Sequence, residues 1–181
     1  RDSATVLVSG IIEPIGARQA KLTMSAATQK AVSETVEAKT PAQAVEQTIR
    51  RLLAYAAENT PAALTIDAVG CRVVHGGARF VEPTRVTPSV LDELRALVDL
   101  APLHIPVDVA VLEQVNRSLT ETPVVAVFDT AFHRTLPPVA YTYALPVELC
   151  ARYGLRRYGF HGISHAYVSR QLIGYLGHGA A

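Results

Sequence analysis

Apolar residues along this chain change their spacing several times, and each change marks a new element. Thr5-Val-Leu-Val-Ser-Gly-Ile-Ile-Glu-Pro-Ile15 is rich in β-branched residues and predicts a strand interrupted near Pro14 and Gly16. A more polar strand follows from Gln19 to Thr23, and the two predict a hairpin at a sheet edge. The period then changes. Thr40-Pro-Ala-Gln43 combines a helix cap, a proline at the first helical position and a glutamine at the third, the reciprocal capping arrangement. Val45, Ile49, Leu52, Leu53 and Ala56 recur at helical spacing, so this helix should lay one stripe on a sheet and end near Asn59-Thr-Pro61.

Leu64 to Val69 returns as a strand, Arg72 to His75 continues or follows it, and Gly76-Gly77 closes the segment as a turn. Thr87-Pro88 caps the next helix, with Val90, Leu91, Leu94, Leu97 and Val98 on one face. Ala101-Pro-Leu-His-Ile-Pro106 is too rich in proline to stay helical, and Val107 to Leu119 resumes with Val111, Val115 and Leu119 at helical spacing. Pro123-Val-Val-Ala-Val-Phe-Asp129 is a short apolar run ending in a carboxylate, the pattern of a buried parallel strand. Thr135 to Pro146 reads as an extended, tyrosine-bearing loop or lid and Val147 to Tyr153 as a short helix. Ser164 is expected to cap a last helix carrying Val168, Leu172 and Leu176 inward. Strands alternating with helices specify an α/β layered sheet.

Composition narrows the function classes. A formal charge of +1 supplies no basic field for nucleic acid, and 49% hydrophobic content in 181 residues supports a sizeable core. No apolar run approaches the roughly 18 residues of a membrane span. Two cysteines, Cys71 and Cys150, give no disulfide framework, and no secretory leader pattern is present, so a reducing cytoplasm is expected.

The candidate chemistry gathers at strand ends and glycine turns. Arg72 can hold a carboxylate or phosphate through two parallel hydrogen bonds, or form a structural ion pair with an acid such as Asp67. Asp129 stands just past an apolar strand, where α/β sheets place ligands, although a cap or turn role fits the local sequence equally. His161 precedes Gly162, whose missing side chain leaves room for a phosphate to approach; a core histidine is the plainer reading. His161 and His165 have a spacing that could bind zinc on a continuous helix, but Gly162 and Ser164 argue against such a helix. Cys71 reads as a small buried residue rather than a nucleophile.

Phe128-Asp-Thr-Ala-Phe-His133, Tyr158-Gly-Phe-His-Gly162, Arg72-Val-Val-His-Gly-Gly77 and Ala101-Pro-Leu-His104 together resemble the acetate kinase family, in the same order and at matching separations. The resemblance implies the actin-like ATPase, ribonuclease H-like α/β fold, with a mixed sheet flanked by helices. It implies ATP-dependent, magnesium-requiring phosphorylation of acetate to acetyl phosphate. Arg72, Asp129, His161 and His104 match catalytic positions: Arg72 for acyl or phosphoryl oxygens, His161 for the transferring phosphoryl group, and Asp129 for organising magnesium or its waters. Val74, Leu103 and Phe160 match the small apolar pocket for the acyl methyl group, although each taken alone is a core residue by default.

The same resemblance implies that residues 1–181 are a partial N-terminal domain. The family's first strand and phosphate turn are expected before residue 1, and the nucleotide half beyond residue 181. Cytoplasmic location, acetate and ATP or ADP as partners, no nucleic acid, no membrane, and a homodimer at full length are the accompanying expectations. A propionate or butyrate kinase is one alternative, and a catalytically dead binding domain is another. Cys71, Ile105 and Ile163 depart from the family's usual His, Asn and Thr; losing the amide at position 105 is expected to remove hydrogen-bonding groups near the pocket.

Overall fold

The computed structural model of the protein describes residues 5–26, 30–59 and 65–177. The chain divides into two compact units, one comprising Arg1–Val69 and Val109–Val124, the other Gly70–Asp108 and Val125–Ala181.

The first unit carries an antiparallel meander of β1 (Val8–Glu13), β2 (Ala20–Ala26) and β3 (Val32–Val36). The expected hairpin is β1–β2, with Ser9 opposite Ser25 and Glu13 opposite Lys21. Strict alternation along β2 buries Ala20, Leu22, Met24 and Ala26, which form a core with Val36, Ala38, Ala44 and Tyr55. Strand β3 was not expected, because Val32-Ser-Glu-Thr-Val36 is mostly polar; pairing to β2 through Val32↔Met24 and Val36↔Ala20 makes it a strand.

Helix α1 (Pro41–Asn59) begins where its cap predicts. The Gln43 N–H donates to Thr40 Oγ1 at 3.2 Å, while Gln43 Oε1 accepts from the Lys39 N–H at 2.9 Å, one residue earlier than in the usual reciprocal arrangement. Ala44, Tyr55 and Ala56 are its buried positions, and Val45, Ile49, Leu52 and Leu53 are half-buried. The Tyr55 hydroxyl accepts from the Ala26 N–H at 3.3 Å, tying the helix to the end of β2.

A second sheet consists of β4 (Val69–Val73), β5 (Thr84–Arg85) and β6 (Val124–Phe128), in the order β4-β6-β5. Bonds from Val69 N–H to the Pro123 carbonyl and from Asp129 N–H to the Val73 carbonyl advance in the same sense, so β4 and β6 run parallel. β5 pairs antiparallel to β6. The sheet is therefore mixed, with β6 central and Val124, Ala126 and Phe128 buried. The expected strand over Leu64–Val69 begins only at Val69; Thr65–Ala68 is not extended in a sheet, and Leu64 lies outside the described residues.

Helix α2 (Pro88–Arg95) starts at Thr87, whose hydroxyl accepts from the Val90 N–H, and buries Leu91 and Leu94. It stops at Arg95, so Leu97 and Val98 fall in the turn and the short 3₁₀ segment Val98–Leu100 rather than on its stripe. Helix α3 (Ile105–Ser118) begins two residues earlier than expected, because a proline in the first turn lacks only an N–H that would have no helical partner. Its buried line is Ile105, Val109, Leu112 and Val115, whereas Val111 and Leu119 are half-buried.

After β6 come a 3₁₀ segment (Ala131–Thr135), the single turn α4 (Pro138–Tyr141) inside the expected loop, α5 (Val147–Tyr153) as expected, and α6 (Gly162–Leu176). Two expectations for α6 are corrected. Ser164 lies inside the helix, whose cap position is His161. Val168, Leu172 and Leu176 are more than half exposed, because no element among the described residues covers that side of the helix. No helix among the described residues is long and apolar enough to cross a membrane.

His75, just past β4, is 2% exposed. Its Nδ1 accepts from the Gly77 N–H at 2.9 Å, and its ring meets Tyr158 and Phe160 edge-on at 4.5 and 5.6 Å. Burial lowers its basicity below the usual histidine range.

Two outcomes follow for stability. Leu94→Ala in this chain should lower unfolding free energy by about 2–5 kcal/mol, since Leu94 is fully buried, while Leu172→Ala should stay within about 0.5 kcal/mol, both read by urea titration. Because the folded state resists protonating His75, the unfolded chain takes up that proton first as pH falls. Its contribution is complete above the ordinary histidine value of about 6.5 and is lost as pH drops below it. Between pH 7.5 and 5.5 the wild type should lose more stability than His75→Asn, whose amide oxygen can still accept from Gly77; equal losses would contradict this.

Candidate functional site

Alternation along β4 sends Cys71 and Val73 to the buried face and Arg72 to the open one. Burial pushes the Cys71 thiol up, away from the thiolate, in keeping with a small buried residue. Arg72 donates from Nε at 3.0 Å and from Nη2 at 2.6 Å, both to Oδ2 of Asp129. The pair is asymmetric: the arginine side chain is 56% exposed and the aspartate side chain 2%. The bond to Asp129 raises the guanidinium further above its already high value, against partial desolvation. Arg72 therefore pairs with Asp129, not Asp67, and its charge remains open to a ligand.

Asp129 stands at the C-terminal end of the central strand and is bonded through its backbone as well. Its N–H donates to the Val73 carbonyl at 3.0 Å, and its own carbonyl accepts from the Gly162 N–H at 2.9 Å. A Cβ at Gly162 would lie 2.1 Å from that carbonyl oxygen, so the approach requires glycine. One residue on, Thr130 Oγ1 accepts from the Gly76 N–H at 3.0 Å, bracing the turn after β4.

His161 has φ +55°, in the left-handed region that non-glycine residues rarely occupy and that surrounding contacts must enforce. Those contacts are on both sides of it. Gly162 is tied to Asp129, and the Phe160 carbonyl lies 3.0 Å from His133 Nε2. Gly159 makes the second contact possible, since a Cβ there would come within 2.5 Å of three His133 ring atoms. Phe160 also rests edge-on against buried His75.

These elements enclose an open cavity of about 370 Å³ lined by Arg72, Val74, Leu100, Ala101, His104, Asp129, Phe160 and His161. Six of the seven residues expected from sequence are there. Leu103 is 82% exposed and is not among the lining residues; Leu100 and Ala101, which sequence did not single out, supply apolar wall instead. Ile105 is 1% exposed on the buried side of α3, so the missing amide falls in the core rather than in the cavity. Sequence also missed Asp108. Its Oδ2 accepts from the Val74 N–H at 2.9 Å, and burial pushes its carboxyl up, opposed by that bond and by the nearby charges of Arg72 and His104. An acid near the start of a helix usually serves the helix dipole, so the sequence offered no signal for this contact. Among the described residues no group of three or more His, Cys, Asp or Glu could hold a metal, and none forms around His161 and His165.

Comparison with known proteins identifies the family. The acetokinase family profile matches residues 1–181. The acetate kinase of Deinococcus radiodurans is 43% identical over 167 residues, covering 92% of this chain and 40% of its own length. A propionate kinase of Salmonella typhimurium is 44% identical over 172 residues, covering 95% and 42%. The crystal structure of Porphyromonas gingivalis acetate kinase superposes with TM-score 0.79 at 35% identity over 94% of this chain and 43% of that one. A Francisella tularensis propionate kinase structure superposes with TM-score 0.80 at 34% identity, over 94% and 42%. The chain thus spans about two fifths of the length of the curated relatives it matches. Its mixed sheet and flanking helices are part of the actin-like ATPase fold of these kinases. By profile, identity and fold, the chain belongs to the acetokinase family.

Proposed function

We propose that the full-length protein containing this chain is an acetate kinase, transferring a phosphoryl group reversibly from ATP to acetate. The observation that carries this reading is the Arg72–Asp129 pair opening onto a cavity with apolar walls. A short carboxylate needs both surfaces: a cation for its oxygens, and Val74, Phe160, Leu100 and Ala101 for its alkyl end. Residues 1–181 act as a partial N-terminal domain supplying the acyl and phosphoryl side of the site, with the nucleotide held mainly by the remaining length found in relatives. A cytoplasmic homodimer is the form we assign to the full-length protein.

In the transfer, a carboxylate oxygen attacks the γ-phosphorus as the bond to the bridging oxygen breaks, giving acyl phosphate and ADP. No covalent protein intermediate is needed, so the residues act by position and charge. Arg72 binds the carboxylate and the phosphoryl oxygens it becomes bonded to. His161 donates a hydrogen bond to the transferring group, and His104 faces the same cavity. Asp129 keeps Arg72 oriented, and its other oxygen accepts no bond from the described residues, which suits a single carboxylate holding magnesium directly or through its waters. When bound, the ion supplies charge neutralisation for the phosphates.

A second reading has its own support. Propionate kinases match at 43–44% identity, as closely as several acetate kinases. The two readings differ only in the acyl chain accommodated, so Val74, Phe160 and the Leu100–Ala101 wall would decide between them.

ATP-dependent acyl phosphate formation by the full-length protein, trapped as the hydroxamate, tests both readings. Acetate should give the highest kcat/KM, with propionate lower and butyrate lower again; a propionate maximum would select the second reading, and no turnover of any of them would refute both. Arg72→Ala and His161→Ala should each lower kcat/KM by on the order of 10²-fold or more. A variant within threefold of wild type would remove that residue from the mechanism.

A further inference from the structure

We propose that Asp108 is a positioning residue that holds the two walls of the cavity in register, an inference that rests on the kinase reading above. One wall is the end of β4, carrying Arg72 and Val74; the other is the stretch from Leu100 through His104 into α3. Asp108 Oδ2 accepts from the Val74 N–H at 2.9 Å and links them.

Strand geometry sets the direction in which the Val74 N–H points. The Val73 carbonyl faces β6, where it accepts from the Asp129 N–H, so the next N–H, that of Val74, points to the other side of β4. Among the described residues β4 lies at the end of the order β4-β6-β5, and none of their strands pairs with it on that side. Asp108 supplies the acceptor. The strand end is then held from both directions, through Asp129 on the β6 side and Asp108 on the α3 side.

The helix end of the link is equally fixed. The Asp108 N–H donates to the His104 carbonyl at 2.8 Å, so the residue that grips Val74 is one helical turn from the cavity histidine. Ile105, between them, is 1% exposed and anchors that turn in the core. A shift at Asp108 would therefore displace Val74 relative to His104, and with it the span between the apolar wall and Arg72. Oxygen acceptance, rather than negative charge, is what this role requires. Asparagine can supply it at the same reach; alanine cannot.

The test uses the full-length protein and the variants Asp108→Asn and Asp108→Ala, with acetate and ATP varied separately. Asp108→Asn should keep both kinetic constants within about threefold of wild type. Asp108→Ala should raise KM for acetate by about tenfold and lower kcat, because small misplacements of a bound reactant are expensive in rate, while KM for ATP stays within about twofold. Equal behaviour of the two variants would overturn the proposal, whether both are harmless or both are impaired, and so would a matching rise in KM for ATP. A second readout does not depend on turnover: hydrogen exchange at the Val74 amide should quicken at least about tenfold in Asp108→Ala and remain near wild type in Asp108→Asn. Unchanged exchange in the alanine variant sinks the inference by itself, whereas a protected amide in a wild type that phosphorylates no carboxylate refutes the kinase reading alone. Should Asp108→Ala fail to fold, Asp108→Ser, whose hydroxyl is one bond shorter, takes its place in both measurements.

Discussion

A carboxylate only 1% exposed at the end of a central strand must be compensated, and in this protein much else depends on how that is done. Asp129 takes two bonds from one guanidinium, gives its N–H to Val73 and receives the Gly162 N–H on its carbonyl. Those contacts converge on three chain segments far apart in sequence: the end of β4, the end of β6 and the start of α6. Because the aspartate is buried and the arginine half exposed, the pair is shielded on one side and available on the other. The exposed arginine can exchange part of its interaction for a ligand anion without leaving the aspartate uncompensated.

The glycines belong to the same constraint. Gly162 lets the backbone reach the Asp129 carbonyl, and Gly159 lets the His133 ring lie against the chain beside Phe160. With both ends of the short segment fixed, His161 is held in a left-handed conformation it would not otherwise favour. Preorganisation of this kind suits the phosphoryl transfer proposed above, where no covalent step falls to the protein and the work lies in placing charge before the reaction begins.

What could be read from sequence was what local rules determine. Helix caps at Thr40 and Thr87, the β6 run and the β1–β2 hairpin are set by neighbouring residues, and each was legible. The failures depended on tertiary surroundings. β3 is polar and exists because β2 pairs with it; α3 begins early because the first turn tolerates Pro106; and α6 turns apolar residues outward because nothing described packs over them. Six of the seven residues singled out from sequence line the cavity: Arg72, Asp129 and His161 stand at a strand or a glycine turn, whereas His104, Val74 and Phe160 came from the family resemblance. Leu103 was placed in the pocket by the family resemblance; here it is exposed, and Leu100 and Ala101 line the cavity before α3. Asp108 carried no local signature, since its partner is a backbone N–H 34 residues away.

In the proposed function, Arg72 and Asp129 act as one unit on the acyl and phosphoryl oxygens. A double-mutant cycle on the full-length protein, with Arg72→Ala, Asp129→Ala and the double variant compared by kcat/KM for acetate, tests it most directly. If the pair acts as a unit, the double variant should be no worse than the poorer single variant, leaving a coupling of at least about 1.4 kcal/mol, a factor of ten. Losses that simply multiply would mean that the two residues act independently and that the buried pair is structural.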